Sequence, residues 1–158
     1  MGRTGLSGWG SLEGDLRAAI CELQQGWSAA FVRNGVVLGR EQGKGIGPAL
    51  KMVQARMAQD RWSRSASREA PACAFADRVL GLAAFRLGRL LGARIIWGEM
   101  ASELAILEGR RLGVEVRCHR AVPAVMTYTR DGLCPMEHLA FRSESDLEFY
   151  LAAAGLVL

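Results

Sequence analysis

The segment Asp131–His138, which reads DGLCPMEH, brings together residue types that nucleophilic catalysis uses. Cys134 stands just before a predicted helix with Pro135 at its first position, and amide donors at a helix start lower the pKa of a thiol. Glu137 follows within one turn and His138 is its neighbour, so one interpretation is a cysteine nucleophile with an adjacent base. The alternative is structural: Cys134 packs as a small apolar residue, Glu137 complements the helix dipole, and His138 lies at the surface.

Two further pairs of polar residues follow predicted strands, namely Asp77-Arg78 and Ser102-Glu103. Ligands of open α/β sheets bind at the carboxyl ends of the strands. If the two strands are parallel neighbours, these four side chains rim one cleft. Arg78 would then hold an anion, while Asp77 and Glu103 would hold hydroxyls or ring nitrogens. The alternative assigns the same residues to helix capping and to a surface ion pair.

A glycine-rich loop, Gly43–Pro48, leads into a helix predicted over Pro48–Gln59. Free amide groups and the positive end of a helix dipole can bind phosphate or carboxylate, and Lys44 adds charge. The candidate contacts are Lys44, Gly45 and Gly47. The loop has neither the GxGxxG nor the Walker spacing, so a flexible entry turn is the alternative.

No spacing in the chain matches a metal site. The four cysteines are far apart in sequence, which argues against a zinc knuckle or a redox CxxC motif: Cys21, Cys73, Cys118 and Cys134. His119 and His138 are the only histidines, and neither has ligand-type neighbours at metal spacing. We therefore expect no metal and no cofactor. With no apolar signal segment and no run of membrane-spanning length, we expect reduced thiols in the cytoplasm.

The net charge of +4 over 158 residues is weak evidence for nucleic-acid binding. Lys44 and Lys51 are the only lysines among 20 basic residues, and a preference for arginine of this kind points to coding bias. The one segment that resembles an RNA-binding arm is Asp60–Ala70, in which the stacking and phosphate-binding candidates are Arg61, Trp62, Arg64 and Arg68. A solvated connector is the alternative interpretation.

The elements that must position these residues are organised around Pro71–Gly92. The apolar run Ala72–Phe75 predicts a buried strand. From Asp77 onward the apolar residues recur with a helical period until Gly92 ends the pattern. This interpretation places Asp77 and Arg78 at the turn between a buried strand and a buried helix.

The remaining elements follow from periodicity, turn signals and capping residues. In order they are a helix over Leu12–Gln25, a hairpin of Trp27–Val32 and Val36–Arg40 around Asn34-Gly35, a strand Arg94–Glu99, a helix Glu103–Leu112 capped by Ser102, a strand Val114–Cys118, an extended segment Val122–Tyr128, a helix Pro135–Phe141, and a last helix that opens on a Ser145 capping box and ends near Gly155. The order predicts a flexible tail over residues 1–11 and one α/β domain over residues 12–158, with a mixed sheet of four or five strands.

Three blocks of this sequence resemble the signature of domain of unknown function family 1893: Phe75–Ala84 (FADRVLGLAA), Trp97–Glu103 (WGEMASE) and Arg130–Glu137 (RDGLCPME). The resemblance extends from about Leu12 to Gly155. It implies a three-layer α-β-α sandwich that is similar in fold to the cytidine deaminases. The resemblance implies no particular activity, because none has been settled for the family.

The resemblance also implies a pocket without metal. Zinc deaminases carry His or Cys, x, Glu at one helix start and Pro-Cys-x-x-Cys at the next, and the corresponding positions here are Ala76–Arg78 and Ala101–Glu103, which lack these ligands. We therefore expect one pocket for a nucleotide-like or phosphorylated small molecule, lined by Asp77, Arg78, Ser102, Glu103, Cys134 and Glu137. The alternatives are a non-catalytic regulatory domain that keeps a homodimer or partner surface, and an RNA-binding module.

Overall fold

The hairpin around Asn34-Gly35 begins the sheet in the computed structural model, which describes residues 7–60, 72–127, 129 and 131–157. Strand β1 (Ala29–Arg33) and strand β2 (Val36–Glu41) pair antiparallel, as predicted. Asn34 and Gly35 have φ values of 50° and 76°, a left-handed conformation that these two residue types accept at low cost. The turn is thus set by local chemistry.

The described elements form one mixed sheet of five strands, in the order β2-β1-β3-β4-β5. The other strands are β3 (Cys73–Leu80), β4 (Ala93–Ser102) and β5 (Glu115–Val122), and the helices are α1 (Ser7–Gln24), α2 (Gly47–Asp60), α3 (Leu82–Leu90), α4 (Glu103–Leu112), α5 (Pro135–Arg142) and α6 (Asp146–Val157). β3, β4 and β5 are parallel, whereas β1 is antiparallel to both of its neighbours. The predicted three-layer α/β class is confirmed.

Helix α1 covers one face of the sheet, and the helices from α2 onward cover the other. The alternation of β3 shows this division, since Ala74 and Ala76 pack with residues of α1 while Cys73 and Phe75 belong to the core beneath α2 and α3. Helices α5 and α6 pack against α3. No helix in the described ranges is both long enough and apolar enough to cross a membrane.

The predicted change from strand to helix at Asp77 is wrong. β3 continues to Leu80, because Val79 and Leu80 pair with Met100 and Ala101 of β4, and α3 begins only at Leu82. An apolar pattern over so few residues fits both periods, and the pairing with β4 decides between them. Asp77 and Arg78 therefore lie within the last four residues of β3 and not at the turn between strand and helix.

Three predicted capping devices are present. The Ser102 hydroxyl accepts a hydrogen bond from the Ala105 amide at 3.1 Å, and Gly113 ends α4 with a φ of 71°. At the start of α6, the Ser145 hydroxyl accepts from the Glu148 amide at 3.1 Å. These positions depend on neighbouring residues only, which is why the sequence alone locates them.

Other boundaries differ from those predicted. β5 reaches Val122, and the segment predicted as extended after it contributes only a single bridge between Met126 and Leu133 within the described residues. α1 begins at Ser7, inside the predicted tail, and α6 continues past Gly155 to Val157. The predicted loop over residues 60–70 lies outside the described residues except for its first position, which ends α2.

Candidate functional site

Three parallel strands carry a row of polar side chains at the same level of the sheet. Residues on either side of Arg78 pair with those on either side of Glu99, and the same register places Glu99 beside His119. Arg78, Glu99 and His119 therefore lie across β3, β4 and β5 near their carboxyl ends. Such a row is available for ligand contact at the edge where α/β sheets bind ligands.

Arg78 lies on the face of the sheet that α1 covers. Its Nη2 donates to the Leu23 carbonyl oxygen at 2.7 Å, and its Nη1 lies 3.4 Å from Glu99 Oε2. The first contact satisfies a carbonyl at the end of α1, where a cation is favourable. The Arg78 side chain is still 42% exposed, so part of its guanidinium faces solvent.

A groove runs along this row, and we call it the α1 groove. One part, of about 400 Å³, lies beside the end of α1 and includes Leu23 and Trp97; the adjoining part, of about 580 Å³, includes Arg120. Arg78, Glu99 and His119 line both parts. The α1 groove thus combines an indole ring with two guanidinium groups, a carboxylate and an imidazole.

The glycine-rich loop lies at the same edge of the sheet. The Ser28 hydroxyl and the backbone of Gly43 exchange hydrogen bonds of 3.0 and 3.1 Å, and the Ser28 carbonyl accepts from the Arg78 amide at 3.2 Å. The loop is therefore tied to the end of β3 through Ser28. Lys44 and Gly45 are exposed and, like Gly47, do not line the α1 groove.

Glu137 closes the start of α3. Its two carboxylate oxygens accept hydrogen bonds from the Leu82 and Ala83 amides, each at 2.9 Å. Gly81 is needed here, because a Cβ at that position would collide with the Glu137 carboxyl group. Burial raises the pKa of Glu137, and the two amides oppose that shift. Glu137 acts in this structure as a helix cap supplied from another element.

Asp77 is buried on the opposite face of the sheet from Arg78, by the alternation of β3. Its Oδ1 accepts from the Val79 amide at 3.2 Å. Burial raises the pKa of Asp77 to about 7, and the backbone hydrogen bonds and the charge of Arg78 only partly oppose it. Asp77 is a titratable group of the interior and does not line the α1 groove.

A second cavity, which we call the α5 cavity, has a volume of about 510 Å³ and lies between α5, the start of α4 and the chain that follows β5. Ser102 and Glu137 contribute polar groups to its lining. Most of the lining is apolar, from Leu104, Pro123, Ala124, Leu133 and Phe141. The α5 cavity is therefore chemically unlike the α1 groove.

The predicted site residues are divided between these places. Arg78 lines the α1 groove, and Ser102 and Glu137 line the α5 cavity. Glu103 is exposed in the first turn of α4, and Cys134 precedes α5 at the N-cap without a side-chain capping bond; neither lines either place. The structure therefore brings Ser102 and Glu137 together but separates them from Arg78.

The sequence analysis missed Trp97, Glu99 and Arg120, and it considered His119 only as a metal ligand. The available signal was the spacing of two residues in Trp97-x-Glu99, which places both side chains on one face of a strand, whereas no spacing singled out Arg120. Within the described ranges, no three His, Cys, Asp or Glu side chains converge as metal ligands would. Cys73 is buried, and burial raises the pKa of its thiol to about 11.

Comparison with known proteins gives a family match and several similar solved structures, two of which follow. The model of the family described as domain of unknown function DUF1893 (TM1506) matches residues 22–154. The crystal structure of a DUF1893 family protein, TM1506 from Thermotoga maritima, has a TM-score of 0.68 at 16% identity, covering 91% of this chain and 90% of that one. NE0047 in complex with 2,6-diaminopurine has a TM-score of 0.41 at 14% identity, covering 73% and 76%. No curated protein matches the chain.

Proposed function

This chain belongs to the DUF1893 family of domains of unknown function, and on that premise we propose that it binds a nucleotide-like or phosphorylated small molecule in the α1 groove. The observation that carries the proposal is the row of Arg78, Glu99 and His119, with Trp97 and Arg120 beside it in one continuous groove. Aromatic and cationic groups in one concave site match the planar ring and the phosphate of such a ligand.

Each group has a role that its chemistry suits. Arg78 and Arg120 hold the phosphate, since guanidinium groups bind phosphate oxygens in a planar, bidentate manner. The Trp97 ring provides a flat apolar surface for a base or another planar ring. Glu99 accepts hydrogen bonds from ring N–H groups or hydroxyls, and His119 offers a further polar contact.

The proposal concerns binding and assigns no bond-breaking step to Cys134, which lies outside the α1 groove. The similarity to cytidine deaminases stays a prediction, as does the role of the Gly43–Gly47 loop as an additional anion contact. Both are reasons to begin the search for a ligand with nucleotides.

Calorimetry and thermal shift with nucleoside monophosphates, the matching nucleosides and inorganic phosphate test this proposal. We expect the monophosphate to bind more tightly than either part alone. Arg120→Gln should weaken binding of the monophosphate by about tenfold or more, because a charge-assisted contact is lost, and it should leave nucleoside binding nearly unchanged. Arg78→Gln should do the same with some loss of stability, because Arg78 also satisfies the end of α1.

Arg110→Gln is the matched control, because Arg110 is an exposed arginine on α4. Equal weakening by Arg110→Gln and Arg120→Gln would show only non-specific attraction to a basic protein and would overturn the proposal. So would the absence of binding by any of these compounds to the wild-type chain.

A non-catalytic interaction domain is the second candidate, and the exposed edge of the sheet favours it. Val36, Val37 and Leu38 are 58, 37 and 43% exposed on β2, an edge strand without a charge in that run. Unprotected apolar edges pair readily with other strands. Antiparallel pairing of two β2 strands would give a homodimer, which light scattering would detect and Leu38→Lys would dissociate.

The RNA-binding alternative depends on Arg61, Trp62, Arg64 and Arg68, which lie outside the described residues. It predicts binding that weakens steeply with salt and that is lost when the three arginines are replaced. Filter binding at two salt concentrations would separate it from the proposal above, because nucleotide binding in the α1 groove does not need that segment.

A further inference from the structure

The α5 cavity lies on the side of the sheet away from α1, so it is independent of the α1 groove. Its volume of about 510 Å³ falls within the range of ~300–1,000 Å³ that is usual for small-molecule sites. Its walls are side chains of Leu104, Pro123, Ala124 and Leu133. A cavity of this size and composition suits the apolar body of a small molecule.

Phe141 shows that the cavity wall is incompletely covered. It is 68% exposed although it lines the cavity, whereas its neighbour Ala140 is fully buried. Leaving a phenyl ring in water forgoes the favourable transfer that burial would give. An apolar ligand in the cavity would cover part of this ring.

The rim of the cavity carries an imidazole and a guanidinium, and the guanidinium of Arg142 is positively charged. His138 and Arg142 both line the cavity and are exposed on α5. In the part of the chain that the structure describes, neither side chain makes a hydrogen bond or an ion pair. A guanidinium that no carboxylate among the described residues neutralises is complementary to an anionic ligand group.

The inner polar groups are already used. The two oxygens of Glu137 accept the Leu82 and Ala83 amides, and the Ser102 hydroxyl accepts the Ala105 amide. The Glu137 carboxylate also disfavours a second negative charge nearby. A ligand therefore enters with its apolar end and keeps its anionic group at the rim.

We propose that the α5 cavity binds a small amphipathic carboxylic acid, whose apolar body lies against Leu104, Leu133 and Phe141 and whose carboxylate pairs with Arg142. A medium-chain fatty acid and a planar aromatic acid share this chemistry. The proposal names a site that the function proposed for the α1 groove does not use.

Isothermal titration calorimetry of the full chain with decanoate, 2-naphthoate, decanamide and butyrate tests it. The first two distinguish an acyl chain from a planar ring, and at least one should bind. Decanamide keeps the apolar body without the charge, and butyrate keeps the charge with a short body. Both should bind more weakly, by about tenfold or more, because each lacks one of the two contacts.

Arg142→Gln should lower the affinity for the acid to that for the amide, and it should leave the affinity for the amide unchanged. Arg94 is an exposed arginine at the opposite end of β4, and Arg94→Gln should change neither affinity. Ala124→Trp should fill the cavity and abolish binding of both, with circular dichroism as the check of folding. Should Ala124→Trp unfold the chain, the comparison of acid and amide in Arg142→Gln still decides.

The inference is overturned if neither decanoate nor 2-naphthoate binds, if the wild-type chain binds acid and amide equally, or if Arg142→Gln and Arg94→Gln weaken binding of the acid equally. Arg78→Gln, which alters the α1 groove, should leave binding of the acid unchanged. Loss of acid binding in Arg78→Gln alone would place the acid in the α1 groove and would also overturn the inference.

Discussion

The entry of α3 and the α1 groove lie at the same edge of the sheet and differ in how their polar groups are paired. At the entry, the Leu82 and Ala83 amides each meet a Glu137 oxygen at 2.9 Å, and all these groups are buried. In the groove, Arg78 has one short contact, to a carbonyl oxygen, and one contact of 3.4 Å to Glu99. The polar groups at the entry of α3 are therefore paired and shielded from solvent, whereas those of the α1 groove are accessible to a ligand.

This difference teaches where a ligand can bind. A helix start is a ready-made anion site, but at α3 the protein's own carboxylate takes that position. Groups that are fully paired and buried contribute to stability, whereas exposed groups with unused donors can contact a ligand. Asp77 is intermediate, because it is buried like the entry yet receives only backbone donors from its own strand.

Removing the carboxylate at the entry of α3 should have the largest effect on stability. Glu137→Ala leaves two buried amides without acceptors, and we expect a loss of about 2 to 6 kcal/mol in the free energy of unfolding, at ~1–3 kcal/mol for each unsatisfied group. Urea denaturation measures it. Glu144→Ala, at an exposed position just after α5, is the control. A loss as small as that of the control would show that Glu137 does not cap α3.

Asp77 should make stability depend on pH. Its pKa is about 7 in the folded chain and about 3.9 in the unfolded chain, so the folded state binds more protons between these values. The free energy of unfolding should fall as pH rises from about 4 to about 7, by up to about 4 kcal/mol from this group, and then level off. Asp77→Asn should remove this component.

Denaturation at several pH values compares wild type with Asp77→Asn, and the difference between the two curves isolates Asp77 from other titrating groups. Parallel curves from pH 4 to pH 7 would contradict a raised pKa.

Substitutions of Ser102 and Glu103 at the start of α4 should have the smallest effect on the free energy of unfolding. Ser102→Ala removes the acceptor for the Ala105 amide and should cost about 1 kcal/mol, as is typical of an N-cap. Glu103→Ala, at its exposed neighbour, should lower the free energy of unfolding by less than about 0.5 kcal/mol. Thermal denaturation would measure both, and equal costs would contradict the role of Ser102 as the N-cap of α4.

Local features could be predicted from the sequence, and those that depend on distant residues could not. The Asn34-Gly35 hairpin, the Ser102 cap and the Ser145 cap each depend on a few adjacent residues, and all three are present. The end of β3 was missed because two contacts with distant residues define it: Val79 and Leu80 pair with β4, and Glu137, 55 residues beyond Leu82, caps the start of α3. A periodicity analysis considers neither contact.

The sequence by itself determined the family, through the resemblance of its three motif blocks. It also determined the α/β class, the hairpin and the helix caps, since these follow from the order of elements and from neighbouring residues. Only the tertiary structure decided which polar residues meet. The register of three strands aligns Arg78, Glu99 and His119, and the alternation of β3 turns Asp77 to the other face. Strand register and the faces that helices cover arise from contacts between distant segments, so the α1 groove and the α5 cavity exist only in the folded chain.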